Sequence, residues 1–237
     1  MSEEFFEDDG SVSYRGVRIQ KAPGLFTRRI LKSMRLGRYE TAELRHAERC
    51  IGQGERVLDI GAGVGFLSTK IAQIEKVDKV VSVEANPALI DVIRTTFEAN
   101  EVSQKAECLH GILGQSSAGD TIDFYIRKNF WASSLNGDER AYIDKVEVPI
   151  LDFDALIAKF APTMIICDIE GGELELFQKC DLRSVPRLVI EVHPGIYGQT
   201  GLAKVFQAVM DQGFVLDIRA PRAGDVLTFL NMDHFAE

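Results

Sequence analysis

The 237-residue chain predicts an α/β fold: one open, mostly parallel sheet of seven strands, helices on both faces, and an antiparallel carboxy-terminal hairpin. Three observations predict it. After Gly54, short apolar runs alternate with helical patterns, as covering helices over parallel strands require. The glycine-rich segment "DIGAGVG", residues 59 to 65, stands where the first such run hands over to a helix. The last two runs, in "FVLDIRAPRAGDVLTFL", are separated only by a short Pro and Gly loop, so they pair antiparallel.

In chain order, residues 1–54 form an amino-terminal extension whose helix, about 40–51, presents Leu44, Ala47 and Ile51 on one face. From residue 55 to 237 the repeating pattern forms one domain. Apolar, β-favouring runs place strands at 56–60, 79–84, 106–110, 163–168, 187–192, 214–219 and 226–230. Helical patterns fall between them at 65–74, 87–100, 153–160, 173–180 and 202–212. Between about 113 and 152 the pattern breaks into Gly, Ser, Asn and Asp turn signals with alternating segments such as "DFYIRK" and "KVEVPI", which predicts an inserted β-meander able to roof a crevice.

A composition 46% hydrophobic and 27% charged supports one large core in a soluble domain, and a net charge of −9 argues against a general nucleic-acid binder. Arg15, Arg18, Lys21, Arg28, Arg29, Lys32, Arg35 and Arg38 make the first fifth locally basic, either as solvated surface or toward an anionic substrate or partner. Cys50, Cys108, Cys167 and Cys180 show no paired spacing, and reduced thiols are the simplest account. No apolar run approaches the roughly 18 residues that span a bilayer, and the acidic start lacks a targeting pattern. A cytoplasmic protein without membrane contact is expected.

The glycine loop excludes two ligands. A dinucleotide fingerprint needs a third glycine where this chain has Phe66, and a phosphate-binding loop needs a lysine that is missing at the required spacing. Gly61, Gly63 and Gly65 instead allow close backbone approach to a ligand without a phosphate there. Ligands of open parallel sheets lie beyond the carboxyl ends of the strands. Glu84, ending the second strand in "SVEANP", stands where a carboxylate accepts hydrogen bonds from both hydroxyls of a ribose.

These residues resemble motif I and the following acidic position of class I S-adenosylmethionine-dependent methyltransferases. The resemblance implies a Rossmann-like domain over residues 55–237, with S-adenosyl-L-methionine as cofactor. It implies that Gly61, Ala62, Gly63, Gly65 and Phe66 close on the cofactor's amino acid part, with Ala85 and Asn86 beside the ribose. His110, Gly111 and Ile112 would border the adenine. Asp59 is either a ligand to the cofactor's ammonium or an organiser of the loop.

"VEVPILDFDALI", "MIICDIEGGELELFQ" and "LVIEVHP", in that order, resemble the narrower FkbM family of methyltransferases. "GRYETAE" is similar to that family's Tyr-Glu element, so Tyr39 and Glu40 either close over the cofactor or only begin the helix. One departure stands out: the family's usual lysine falls on Ile166.

Asp168 and Glu170 share one side of the fourth strand's end if the extended conformation persists, and Glu191 and His193 repeat that spacing on the fifth. His193 is a candidate proton acceptor, its unperturbed pKa near 6.5 suiting neutral pH, or a turn histidine before Pro194. Asp168 contacts the cofactor or orients the acceptor in preference to removing a proton, and Glu170 is either catalytic or stabilises the next helix's amino end. A divalent metal held by these oxygens and His193 is the lesser alternative, since the mixed spacing matches no recognised ligand signature, and no metal ligand is assigned. Trp131, Ser133 and Ser134 are candidates to line the acceptor pocket, with a place in the core an equal alternative for Trp131.

The resulting expectation is an O-methyltransferase acting on a hydroxyl of a small molecule or saccharide. A cofactor-binding protein without turnover is the alternative that Ile166 favours, and a nicotinamide-dependent oxidoreductase is a third reading against which the glycine spacing weighs.

Overall fold

The computed structural model describes residues 10–20, 26–115, 119–127, 142–221 and 224–235. Trp131, Ser133 and Ser134 lie outside them. The described part of the chain opens with a hairpin, β1 (Val12–Tyr14) and β2 (Val17–Ile19), that the sequence pattern did not reveal. Arg15 and Gly16 both take positive φ, 50° and 78°, the backbone form a two-residue hairpin loop demands. Then follow α1 (Arg28–Arg35), capped by the Thr27 hydroxyl, and α2 (Thr41–Cys50).

The repeating part comprises β3 (Glu55–Ile60), α3 (Phe66–Ala72), β4 (Val77–Glu84), α4 (Pro87–Ala99) and β5 (Ala106–His110). Asn86 caps α4 through its side-chain oxygen, and Pro87 occupies the first turn, where no N–H is missed. After the inserted strands come α5 (Phe153–Phe160), β9 (Met164–Cys167), α6 (Glu173–Lys179), β10 (Arg187–Glu191), α7 (Pro194–Met210), β11 (Phe214–Leu216) and β12 (Val226–Asn231).

The seven-stranded sheet has the order β11-β12-β10-β9-β3-β4-β5, with β12 antiparallel to both neighbours and the other pairings parallel. Alternation along each strand feeds two cores. On β3 and β9, Val57, Met164 and Ile166 enter one core with Leu44, Ala47 and Phe66, whereas Leu58, Ile165 and Cys167 enter the other with Phe153, Phe177 and Val205. Both faces are therefore covered, as a parallel sheet requires. The hairpin joins the first core: Val12, Val17 and Ile19 are fully buried, and Asn100 at the end of α4 clamps the backbone of Arg18.

Two expectations about the insertion and the last long helix change. The inserted strands β6 (Ile112–Gly114), β7 (Thr121–Ile126) and β8 (Asp144–Asp152) form a sheet in the order β6-β8-β7, and β6 runs parallel to β8 rather than as part of a meander. The reason is that β6 directly continues β5 past Gly111, so its direction is inherited from the main sheet. The helix expected at 202–212 begins at Pro194, with Gly198 (φ 66°, ψ −179°) kinking it. Gly198, which lacks a side chain to oppose this backbone form, marks the kink.

Candidate functional site

The chain runs outward from β3 to β4 and β5, then returns across the sheet to β9 and β10, so the direction of winding reverses between β3 and β9. A crevice forms at such a point. A cavity of about 700 Å³ opens here, within the range of small-molecule sites.

Gly61 and Asp168, the residues that follow β3 and β9, form its floor. An ideal Cβ on Gly61 would lie 1.8 Å from the Asp168 carbonyl oxygen, so only glycine fits, and its φ of 92° points to the same requirement. The glycine loop is held by Glu84, whose two carboxylate oxygens accept from the backbone N–H groups of Gly63 at 2.9 Å and Asn86 at 2.8 Å. Burial pushes its pKa up to about 7. Gly65 (φ 77°) lies against Ile93 and Phe97 and lets α3 pack on α4.

Of the residues singled out from sequence, Tyr39, Glu40, Gly61, Gly63, Glu84, Ala85, Gly111, Ile112, Asp168 and Glu170 line the cavity. Others point elsewhere. Asp59 is buried, accepts the Ser68 hydroxyl and is raised to about 6 by that burial. Ser68 in turn meets the Ser82 hydroxyl at 2.6 Å, so of the two roles open to Asp59 its contacts match the organiser of the loop. Ala62 and Phe66 are buried, and Phe66 packs in an aromatic cluster with Tyr14 and Tyr39, ring centroids 4.7 and 6.1 Å away. Asn86 is the buried α4 cap. His110 sets Nε2 3.2 Å from the Ala85 carbonyl.

Glu40, in a left-handed conformation at φ 47°, accepts the N–H of Leu67 at 3.1 Å in the first turn of α3, where an anion is favoured. Burial raises its pKa well above the carboxylate range.

At the other wall β9 ends at Cys167, so the extended run does not continue through Ile169. Glu170 (φ 50°) turns back sharply and still reaches the cavity beside Asp168. His193 lies behind them, Nε2 3.5 Å from Asp168 Oδ1 and 4.0 Å from Glu170 Oε2. Its Nδ1 is 3.0 Å from Oε1 of the fully buried Glu173, and its backbone N–H donates to the Tyr197 hydroxyl at 2.6 Å. Glu173 also accepts the N–H groups of Ile169 at 3.1 Å and Gly171 at 3.3 Å. Glu173, in the first turn of α6, thus ties down the loop that leads into that helix.

Glu43 and Glu191 complete the acidic wall, and Glu43 is pushed up to about 7 by burial and by Glu191 beside it. Asp168 is raised well above the usual range by burial, then by Glu191 and Glu170. Sequence reasoning did not single out Glu43 or Glu173. The available signals were helical spacing, Glu43 one turn after Glu40, and the third acid in "DIEGGE".

Fold and site together define a class: an open-sheet, Rossmann-like domain with a carboxylate-lined cavity at the switch point. A match to the methyltransferase FkbM domain spans residues 59–231. The protein belongs to the FkbM family of methyltransferases, whose cofactor is S-adenosylmethionine. A ribosomal protein L11 methyltransferase of Bacillus velezensis is 34% identical over 73 residues, which cover 29% of this chain and only 23% of that protein. Among solved structures, a TehB-like SAM-dependent methyltransferase from Corynebacterium glutamicum aligns with a TM-score of 0.50 at 15% identity, covering 86% of this chain and 94% of that one. A protein of the NADB-Rossmann superfamily from Streptococcus agalactiae gives 0.50 at 13% identity, over 81% and 68%. At such identities these two share the fold.

The residues fit the cofactor. The floor at Gly61 is closed to any side chain, and Glu40, Glu43, Glu84, Asp168, Glu170 and Glu191 suit a ligand carrying sulfonium and ammonium charges. Among the described residues no helix is long and apolar enough to cross a membrane.

Proposed function

We propose that the protein transfers the methyl group of S-adenosylmethionine to a hydroxyl oxygen of a small molecule or saccharide. The observation that carries this reading is the meeting, in one cavity, of the glycine floor at Gly61 and Gly63 with the acidic pair Asp168 and Glu170. When bound, the cofactor supplies an electrophilic methyl group on sulfur. The chain's own part is alignment, which supplies much of the rate of an in-line displacement.

Glu84 fixes the glycine loop and, in this reading, the cofactor's ribose. Asp168, made more basic by burial and by Glu191, stands where it can receive the proton that the acceptor hydroxyl gives up, with Nε2 of His193 3.5 Å from its Oδ1. Ile122, Phe124 and Ile150, from the small sheet, give the cavity an apolar wall that keeps water from the reacting atoms. Arg29 and Arg38 also line it and provide for an anionic group on the acceptor, the role weighed for the basic segment, while Lys179 at the cavity is paired with Glu175.

Isothermal titration with S-adenosylmethionine, followed by an acceptor screen with labelled cofactor, tests the reading. Saturable binding that Gly63→Arg abolishes supports it, and unchanged affinity in that variant refutes the site. A binding protein without turnover remains the second reading, favoured by Ile166, which is buried in the core at the position where the family resemblance leads one to expect a lysine. Methyl transfer to any acceptor excludes it.

We also infer a cytoplasmic location. Cys50, Cys108, Cys167 and Cys180 are all free thiols, and burial pushes Cys108 and Cys180 up to about 12, which keeps them unreactive in a reducing compartment. Cell fractionation checks this.

A further inference from the structure

We propose that Asp168, Glu170 and His193 bind one divalent first-row transition-metal ion at the cavity wall. One ligand atom from each residue lies within 4.8 Å of the others. Ligand atoms about 2.1 Å from a common ion stand roughly 3.0 to 4.2 Å apart, so the separations of 3.5 and 4.0 Å from His193 Nε2 suit a shared ion with little movement.

The histidine is prepared for this. Glu173 Oε1 already accepts two backbone N–H groups, so His193 Nδ1 donates to it, and in the neutral ring Nε2 then presents a lone pair toward Asp168 and Glu170. A buried carboxylate holding the far nitrogen of a metal-binding histidine is the usual supporting arrangement.

Asp168 provides the second, independent sign: its Oδ1 is shielded from solvent and has no hydrogen-bond partner, although it faces Nε2. A proton on Nε2 would not satisfy it, because 3.5 Å exceeds a good N–H···O bond. A larger cation held between them does. Glu170 is carried toward the same point by a left-handed backbone at φ 50°, a conformation that costs energy for a residue with a side chain.

One imidazole with two carboxylates favours Mn²⁺, Fe²⁺, Co²⁺ or Zn²⁺ over Mg²⁺ or Ca²⁺, which prefer all-oxygen sets. Three protein ligands leave open positions, and Asp168 and Glu170 line the cavity, so oxygen atoms of an acceptor can complete the shell. This assigns a metal-binding class of acceptor, such as a vicinal diol or hydroxy acid. Only that acceptor assignment rests on the methyltransferase reading.

The full chain, stripped with chelator and dialysed, is titrated with Mn²⁺ while the free-ion paramagnetic resonance signal is followed. The expected result is one ion per chain at micromolar affinity. Pulsed resonance of the wild-type complex should show nitrogen coupling from a single imidazole, a readout that needs no variant to fold. His193→Ala and Asp168→Asn should abolish binding, and Glu173→Gln should weaken it about 10- to 100-fold. No uptake of Mn²⁺, Co²⁺ or Zn²⁺, no nitrogen coupling, or uptake that persists in folded His193→Ala overturns the site. Titration of S-adenosylmethionine on the same metal-free samples separates the readings: retained cofactor binding without metal uptake sinks the ion alone, and metal uptake without cofactor binding sinks the methyltransferase reading alone.

Discussion

The backbone of Gly61 crosses that of Asp168 so closely that a Cβ on Gly61 would lie 1.8 Å from the Asp168 carbonyl oxygen. Two strands distant in sequence are thereby brought together with no side chain between them, and the cavity floor is formed by backbone. Gly61→Ala should therefore push β3 and β9 apart at their carboxyl ends, weakening S-adenosylmethionine binding by at least about 10-fold in titration calorimetry. Gly37→Ala is the control: it shares the positive φ, 66°, but has open space around it, and should cost only about 1 to 2 kcal/mol with unchanged cofactor affinity.

Glu84 holds the loop through two charge-assisted hydrogen bonds, to Gly63 and Asn86. Glu84→Gln sets an amide N–H₂ against one of those donors. The expected loss of about 1.5 to 3 kcal/mol in loop organisation corresponds to roughly 10- to 100-fold weaker cofactor binding. Wild-type affinity in this variant would show that the loop does not depend on the carboxylate.

The buried acids set a pH dependence. Asp59, Glu43 and Glu84 are raised to about 6, about 7 and about 7. Between their unfolded values, near 4, and these folded values, the native chain binds more protons than the unfolded one, so stability falls as pH rises through that window. The raised His193 acts in the same direction. Thermal unfolding of the cofactor-free protein should show a higher midpoint at pH 5 than at pH 8. A cationic cofactor favours the ionised acids, so its stabilising effect should be larger at pH 8. A midpoint that rises from pH 5 to 8 without cofactor contradicts the assignment.

Far from the cavity, at the amino ends of the strands, Arg187 meets the buried Glu55 at 3.1 Å, and Thr163 also donates to that carboxylate. Arg187→Ala leaves a buried charge with its cation removed and should cost about 3 to 5 kcal/mol in denaturant unfolding. Cofactor affinity of the folded fraction should not change, because the pair lies at the opposite edge of the sheet.

Much of the fold was legible locally. The strand expected at 106–110 and the helix expected at 153–160 fall where β5 and α5 lie, and the helix read near 40–51 encloses α2. The β1–β2 hairpin was not legible, since strands of three residues are too short to show a period and are secured by contacts with α4, about 80 positions on. The strand read at 214–219 stops at Leu216, and Ile218 is 85% exposed: its apolar character suggested a strand, but nothing packs on it.

The candidate site divides in the same way. Glycine spacing and strand-end acids are short-range features, and the sequence alone was enough to read a mostly parallel seven-stranded sheet with an antiparallel carboxy-terminal hairpin, and to offer the glycine loop, Asp168, Glu170 and His193 as candidates; the strand order came from the tertiary structure. Only the tertiary structure decided what each carboxylate does. Asp59 turns to Ser68, Glu173 takes the histidine, and Glu43 meets Glu191 across 148 positions of chain. A carboxylate's role follows from which donor, charge or opening comes within a few ångströms, and packing of distant segments sets that distance.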